Sequence, residues 1–320
     1  MTLDAQTQAF LDKARANAGP PPGEVPLADF RAAVDAFRAL GFDREEVTSV
    51  RDIGIPRADG PDVEIRLYIP ADAGDRPLPL IVWAHGGSWV RVTVDLLDGH
   101  FRVYANRSGC AVAAVDYRLA PETRFPGALE DVYTAASWLR LNAESLGLDP
   151  SLIAIAGESS GGNVAAAVTQ LDRERGEVEF IYQALLVPVL DARFATPSWA
   201  ALGSDYLLTR AQLEWAIEQY APDVAKTDAL LSPLCASDLA GLPPALVVTG
   251  EFDPLRDEGA AYAEALESAG IAVEHVHYEG LIHHAVMVPR IIDLGRRVLE
   301  ESATRIGSAL GRTPSPTTSA

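Results

Sequence analysis

Short, almost uninterrupted apolar runs recur along this chain, as in Leu80-Ile-Val-Trp-Ala84, Cys110-Ala-Val-Ala-Ala-Val115 and Leu152-Ile-Ala-Ile-Ala156. A strand wetted on one face alternates polar with apolar positions. A strand with no polar positions must be covered on both faces. Runs of this kind or of strand period fall at 47–55, 63–69, 78–84, 110–115, 151–156, 182–190, 245–249 and 273–278. Helix-period segments at 128–146, 162–175, 257–270 and 289–309 lie between or after them. This alternation predicts an α/β fold, with a mostly parallel central sheet and helices on both faces. Two regions break the rhythm. Residues 1–45 carry helical patterns at 4–18 and 27–40 before any strand. Residues 191–240 are too long for a simple crossover and hold a helix-like run at 209–220. Both are expected to form a helical cap over one edge of a catalytic body made of 46–190 and 241–310. The polar tail 311–320, with its two prolines, reads as disordered.

Composition narrows the function. The 320 residues carry 26 basic and 45 acidic side chains, a net charge of −19. Such a surface repels nucleic acid and anionic membranes, so neither is an expected partner. Two distant cysteines, Cys110 and Cys235, make neither a disulfide framework nor a zinc site. The first residues lack the basic and then apolar regions of a signal peptide, and no run is long enough to cross a membrane. The expected location is the cytoplasm.

The chemistry is carried by GESSG at 157–161. It follows an apolar strand and opens a helical run, the context required of a nucleophile elbow. Ser159 is then the candidate nucleophile, at the tip of a turn so tight that glycines are needed two residues to either side. Acyl transfer places negative charge on a carbonyl oxygen. His85-Gly-Gly-Ser88 ends another apolar strand and can present backbone N–H groups to that oxygen. The expected donors are Gly86, Gly87 and Ser160. His85 itself reads as a structural residue.

A serine hydroxyl needs a base, and the base an orienting acid. His275 and His277 share one strand face with no third ligand at metal-like spacing, so no metal site is expected. His283 and His284 follow the last strand, at the sheet edge where the elbow also sits. Asp253 follows the strand at 245–249, with Glu251 as its nearest rival. Asp257 and Glu258 fall in the first turn of a helix, where acids favour the dipole without doing chemistry. Ser159, Asp253 and His283 occur in the chain order of an α/β-hydrolase.

The sequence resembles the hormone-sensitive-lipase-like esterases of the α/β-hydrolase fold. The resemblance rests on HGGSW at 85–89, VDYRLAPE at 115–122, FPGALED at 125–131, GESSGG at 157–162, LPPALVVTGEFDPLRDEG at 242–259 and GLIH at 280–283. It implies that Ser159 is the nucleophile, Asp253 the acid and His283 the base. It also implies a cap from the N-terminal helices and the insertion, no cofactor, and a homodimer through the outer strand at 273–278. The chain departs from the family pattern near the site. Ser88 replaces a glycine, Glu158 an aspartate or threonine, and Ser160 an alanine. His284 and Ala285 replace a glycine–phenylalanine pair. Ser88, Trp89, Trp215 and His284 are the candidate pocket residues.

The expected function is hydrolysis of short-chain acyl esters through an acyl-enzyme. Two alternatives stand beside it. One is a deacetylase or amide hydrolase acting on a specialised metabolite. The other is a non-catalytic receptor on the same scaffold, against which the presence of His283 argues.

Overall fold

Eight strands form one sheet in the computed structural model, which describes residues 3–57 and 60–312. They are β1 (Ser49–Ile55), β2 (Val63–Ile69), β3 (Leu78–Ala84), β4 (Ala111–Asp116), β5 (Leu148–Glu158), β6 (Tyr182–Leu186), β7 (Ala245–Phe252) and β8 (Val273–Ile282). Their spatial order is β1-β2-β4-β3-β5-β6-β7-β8. β2 pairs antiparallel with both β1 and β4, and every later pair is parallel.

The helices are α1 (Ala5–Ala16), α2 (Leu27–Ala32), α3 (Asp98–Ser108), α4 (Gly127–Leu141), α5 (Ala143–Leu146), α6 (Ser160–Arg175), α7 (Pro197–Leu202), α8 (Arg210–Tyr220), α9 (Arg256–Ser268) and α10 (Asp293–Ala309). The apolar runs divide residue by residue between two cores, as period-two geometry requires. Leu80, Val82, Ile155 and Val247 pack with residues of α4, α6 and α9. Ile81, Trp83, Ala154 and Val248 pack on the other face with residues of α3 and α10. Each of these strand residues is buried.

Several boundaries differ from the sequence reading. The run at 182–190 leaves the sheet after Leu186, where Val187 takes a φ of 41°. The segment 128–146 breaks at Asn142 into α4 and α5. The last helix starts at Asp293 rather than 289. Helix α3 had no sequence expectation, because its stretch Asp98-Gly-His-Phe mixes polar and aromatic residues without helical period. His100 lies on this helix. The pattern at 27–40 becomes α2 and a 3-10 turn, Ala33–Phe37. Trp215 of α8 meets Phe30 of α2 edge to face, with ring centres 5.0 Å apart. The N-terminal segment and the insertion therefore touch. The tail expected at 311–320 lies outside the described residues from 313 onward.

A buried carboxylate ties the insertion to the body. Glu258 of α9 accepts the Leu190 N–H at 2.7 Å and the Trp199 indole N–H at 3.0 Å. The sequence reading gave this acid a helix-dipole role, but its side chain is fully buried. Burial pushes its carboxyl up to about 8. The native chain then holds a proton that the unfolded chain has released between the ordinary carboxylate range and that value. The group's contribution to stability therefore falls as pH rises through this window. Urea unfolding of Glu258→Gln should show a smaller loss of stability between pH 5 and pH 8.5 than wild type. The expected difference is a few kcal/mol, at about 1.4 kcal/mol per unit. Equal slopes would contradict it.

Candidate active site

The turn between β5 and α6 has no room for side chains beside the serine. A Cβ on Gly161 would sit 2.1 Å from the Ala84 carbonyl oxygen, and one on Gly157 would sit 2.3 Å from the Gly161 carbonyl oxygen. The close approach forces Ser159 to φ 57°, ψ −121°, a conformation that costs backbone energy and needs support. The support is a set of backbone hydrogen bonds. The Ser159 N–H donates to the Leu186 carbonyl at 2.9 Å, and its carbonyl accepts from Val189 and Asn163. Three strand ends and the first turn of a helix thus hold one hydroxyl in place.

His283 reaches that hydroxyl. Its Nε2 is 2.9 Å from Ser159 Oγ, and its Nδ1 is 2.8 Å from Asp253 Oδ2. The other Asp253 oxygen accepts the Leu255 N–H at 2.9 Å. Asp253 is fully buried, and Ser159 and His283 are nearly so. The rival Glu251 instead accepts the Gly280 N–H at 2.8 Å. All three residues expected as a triad therefore meet, although they come from the ends of three strands far apart in sequence.

The expected oxyanion donors need one correction. The Gly86 N–H already donates to Glu158 Oε1 at 2.6 Å, so it is directed away from an incoming carbonyl. The second oxygen of Glu158 accepts the Trp83 indole N–H at 2.7 Å. Glu158 is buried, and burial pushes its carboxyl up to about 7. Sequence reasoning treated it as a departure from a family pattern. Its place next to Ser159 was the available signal that it anchors the neighbouring loop. The N–H groups of Gly87, Ser88 and Ser160 have no acceptor among the described residues. The Ser160 hydroxyl accepts the Trp89 N–H at 3.3 Å, joining the loop to the elbow.

A cleft of about 580 Å³, counted out to its mouth, opens onto Ser159 and His283. Ser88 and His284 line it as expected, together with Val34, Phe37, Arg91 and Met287. Trp89 does not. It is fully buried and stacks on Tyr220, with ring centres 4.9 Å apart. Ser88 and Trp89 both take φ near 60°, which turns the indole into the core. Trp215 is also absent from the lining and packs on Phe30 instead.

The remaining histidines are occupied elsewhere. His85 is buried and stacked on Tyr117, with burial lowering its pKa. His275 and His277 both turn to the Thr249 hydroxyl, at 2.9 and 3.0 Å.

Comparison with known proteins agrees with this geometry. A family profile for the alpha/beta hydrolase fold matches residues 81–287. The carboxylesterase NlhH of Mycobacterium tuberculosis is 38% identical over 236 residues, covering 71% of this chain and 74% of the relative. The ethyl acetate hydrolase of Pseudomonas putida is 37% identical over 254 residues, covering 78% and 79%. Among solved structures, the ester-hydrolase EH1AB1 from the metagenome of Lake Arreo superposes with a TM-score of 0.92 at 37% identity. That match covers 97% of this chain and 100% of the other. Sheet order, elbow, motifs and relatives converge: the chain belongs to the α/β-hydrolase fold family, among its hormone-sensitive-lipase-like esterases, and is a carboxylic ester hydrolase.

Proposed function

We propose that the protein hydrolyses short-chain acyl esters, with Ser159 as nucleophile, His283 as general base and then acid, and Asp253 as the group that orients the imidazole. The observation that carries this reading is the continuous hydrogen-bonded line from Asp253 through His283 to Ser159, at 2.8 and 2.9 Å. Nε2 takes the Ser159 proton as Oγ attacks the ester carbonyl. Asp253 holds Nδ1–H and favours the imidazolium that forms. The N–H groups of Gly87 and Ser160 receive the carbonyl oxygen as it becomes negative. Each such donor contributes about 3 kcal/mol in comparable sites. His283 returns its proton to the leaving alcohol, and water then clears the acyl-enzyme by the same route.

Short acyl chains are supported by the modest cleft and by a relative named for ethyl acetate. Residues 1–45 and 191–240 act as a cap in this reading, supported by the Phe30–Trp215 contact and by Val34, Phe37 and Leu208 at the cleft wall. The reading extends to a homodimer through β8, which among the described residues is an edge strand paired only with β7. It also extends to a cytoplasmic setting, supported by the free thiols Cys110 and Cys235. Among the described residues, no helix is long and apolar enough to cross a membrane.

Hydrolysis of p-nitrophenyl esters from acetate to dodecanoate tests the reading. Wild type should prefer the short chains, and Ser159→Ala should lose at least about 10⁴-fold in kcat/KM. Comparable activity in that variant would refute the assignment. Glu158→Gln keeps the side-chain shape but turns an amide N–H toward one of two N–H donors, so one of the anchoring bonds fails. The expected loss in kcat is about ten- to a hundredfold, the value of a hydrogen bond to a charged group, with an unchanged circular dichroism spectrum. A change below twofold would remove Glu158 from the oxyanion loop's support.

A further inference from the structure

The cleft beside Ser159 is mostly apolar, and Arg91 interrupts that wall. Several other half-buried arginines of the body have carboxylate partners, whereas Arg296, away from the cleft, lies over the Phe42 ring. Arg118 and Arg57 hold Asp131, Arg102 holds Asp98, and Arg107 holds Glu45. The Arg91 guanidinium has no carboxylate or hydrogen-bond partner among the described residues. Its guanidinium lies over the Phe30 ring, 4.6 Å from the centroid. Burial lowers its pKa to about 10, so it remains charged at neutral pH.

A charge withdrawn from water without a partner is costly. Where such a group lines a cleft, a ligand is the natural partner. His284 lines the same cleft, and its Nδ1 is buried with no hydrogen bond. Burial, His283 and the Arg91 charge together hold its pKa well down. The remaining charged lining group, Glu158, does not compete for Arg91, because its two oxygens are held by Gly86 and Trp83. The net charge of −19 disfavours capture of anions from bulk, so any preference for one must arise from short-range contact. A planar guanidinium matches a carboxylate with two parallel bonds, and an imidazole N–H adds a third.

We propose that Arg91, with His284 in the same cleft, is a carboxylate-recognition site, and that the preferred substrates are esters bearing a free carboxylate near the scissile bond. The proposal rests on the reading of Ser159 as the nucleophile of this cleft. Arg91 and His284 position the substrate and take no part in bond making.

Two matched ester pairs test it. Monomethyl glutarate against methyl hexanoate places the charge on the acyl side, and 3-acetoxypropanoate against butyl acetate places it on the alcohol side. Wild type should favour the charged member of at least one pair by tenfold or more in kcat/KM. Arg91→Met should reduce that charged-to-neutral ratio at least tenfold, mainly through KM, and Arg91→Lys should recover part of it. A ratio unchanged in Arg91→Met, an equal loss on both members, or a wild-type preference for both neutral esters overturns the proposal. The equal loss would mark Arg91 as a purely structural contact of Phe30. Neutral esters turned over by wild type but not by Ser159→Ala, with no charge preference, would leave the nucleophile standing and remove only the carboxylate site. Calorimetry on Ser159→Ala decides the site without turnover. Binding of monomethyl glutarate or 3-acetoxypropanoate that is lost on adding Arg91→Met supports it, and binding of neither overturns it.

Discussion

The contact on which this molecule depends is the approach of Gly161 to the Ala84 carbonyl, close enough that a single added methyl would lie 2.1 Å from the oxygen. It brings the end of β3, the end of β5 and the first turn of α6 into one place. The Ser159 backbone is strained there, and the Leu186, Val189 and Asn163 hydrogen bonds hold the strain. Because β3 ends at Ala84, the loop that follows starts against the elbow. The unpaired N–H groups of Gly87 and Ser160 are therefore set by the same packing that exposes the serine.

Buried carboxylates extend this order outward. Glu158 connects the Trp83 indole, part of the core under the sheet, to Gly86 above it. Glu258 repeats the device between α9 and the insertion, holding Leu190 and Trp199. Both carboxyls have pKa values raised by burial and both accept two N–H groups, so each is held in place by its bonds rather than by an ion pair. They favour one arrangement of the loops around the cleft and make that arrangement sensitive to pH.

The sheet and the meeting of Ser159, Asp253 and His283 were legible because both follow from short-range rules. Apolar runs without polar positions demanded a doubly covered parallel sheet. Glycines two residues to either side of Ser159 demanded a tight turn. Residues at strand ends were bound to share an edge. The cleft wall was less legible, because it depends on backbone angles no local pattern reveals. Trp89 adjoins the oxyanion loop in sequence, yet positive φ at Ser88 and Trp89 turns the ring inward to Tyr220. Gly86 was expected to face the substrate, but a carboxylate that looked like a mere substitution takes its N–H. Helix α3 was hidden by its mixed composition. Its Gly99 is fixed by a tertiary contact, the Phe42 carbonyl 2.3 Å from where a Cβ would lie. Arg91 carried no signal in the sequence, because the absence of a carboxylate partner for its guanidinium could be seen only in three dimensions.

The most direct test of the central claim, that Ser159 is the atom that bonds to the acyl carbon, is intact-mass spectrometry after exposure to a p-nitrophenyl phosphonate ester. Phosphorus is attacked in the same geometry as the ester carbonyl, and the adduct does not turn over. Wild type is predicted to gain one phosphonyl group per chain, located by peptide mapping to Ser159, and Ser159→Ala to gain none. A folded wild type that stays unmodified, or an adduct that forms equally in Ser159→Ala, would contradict it.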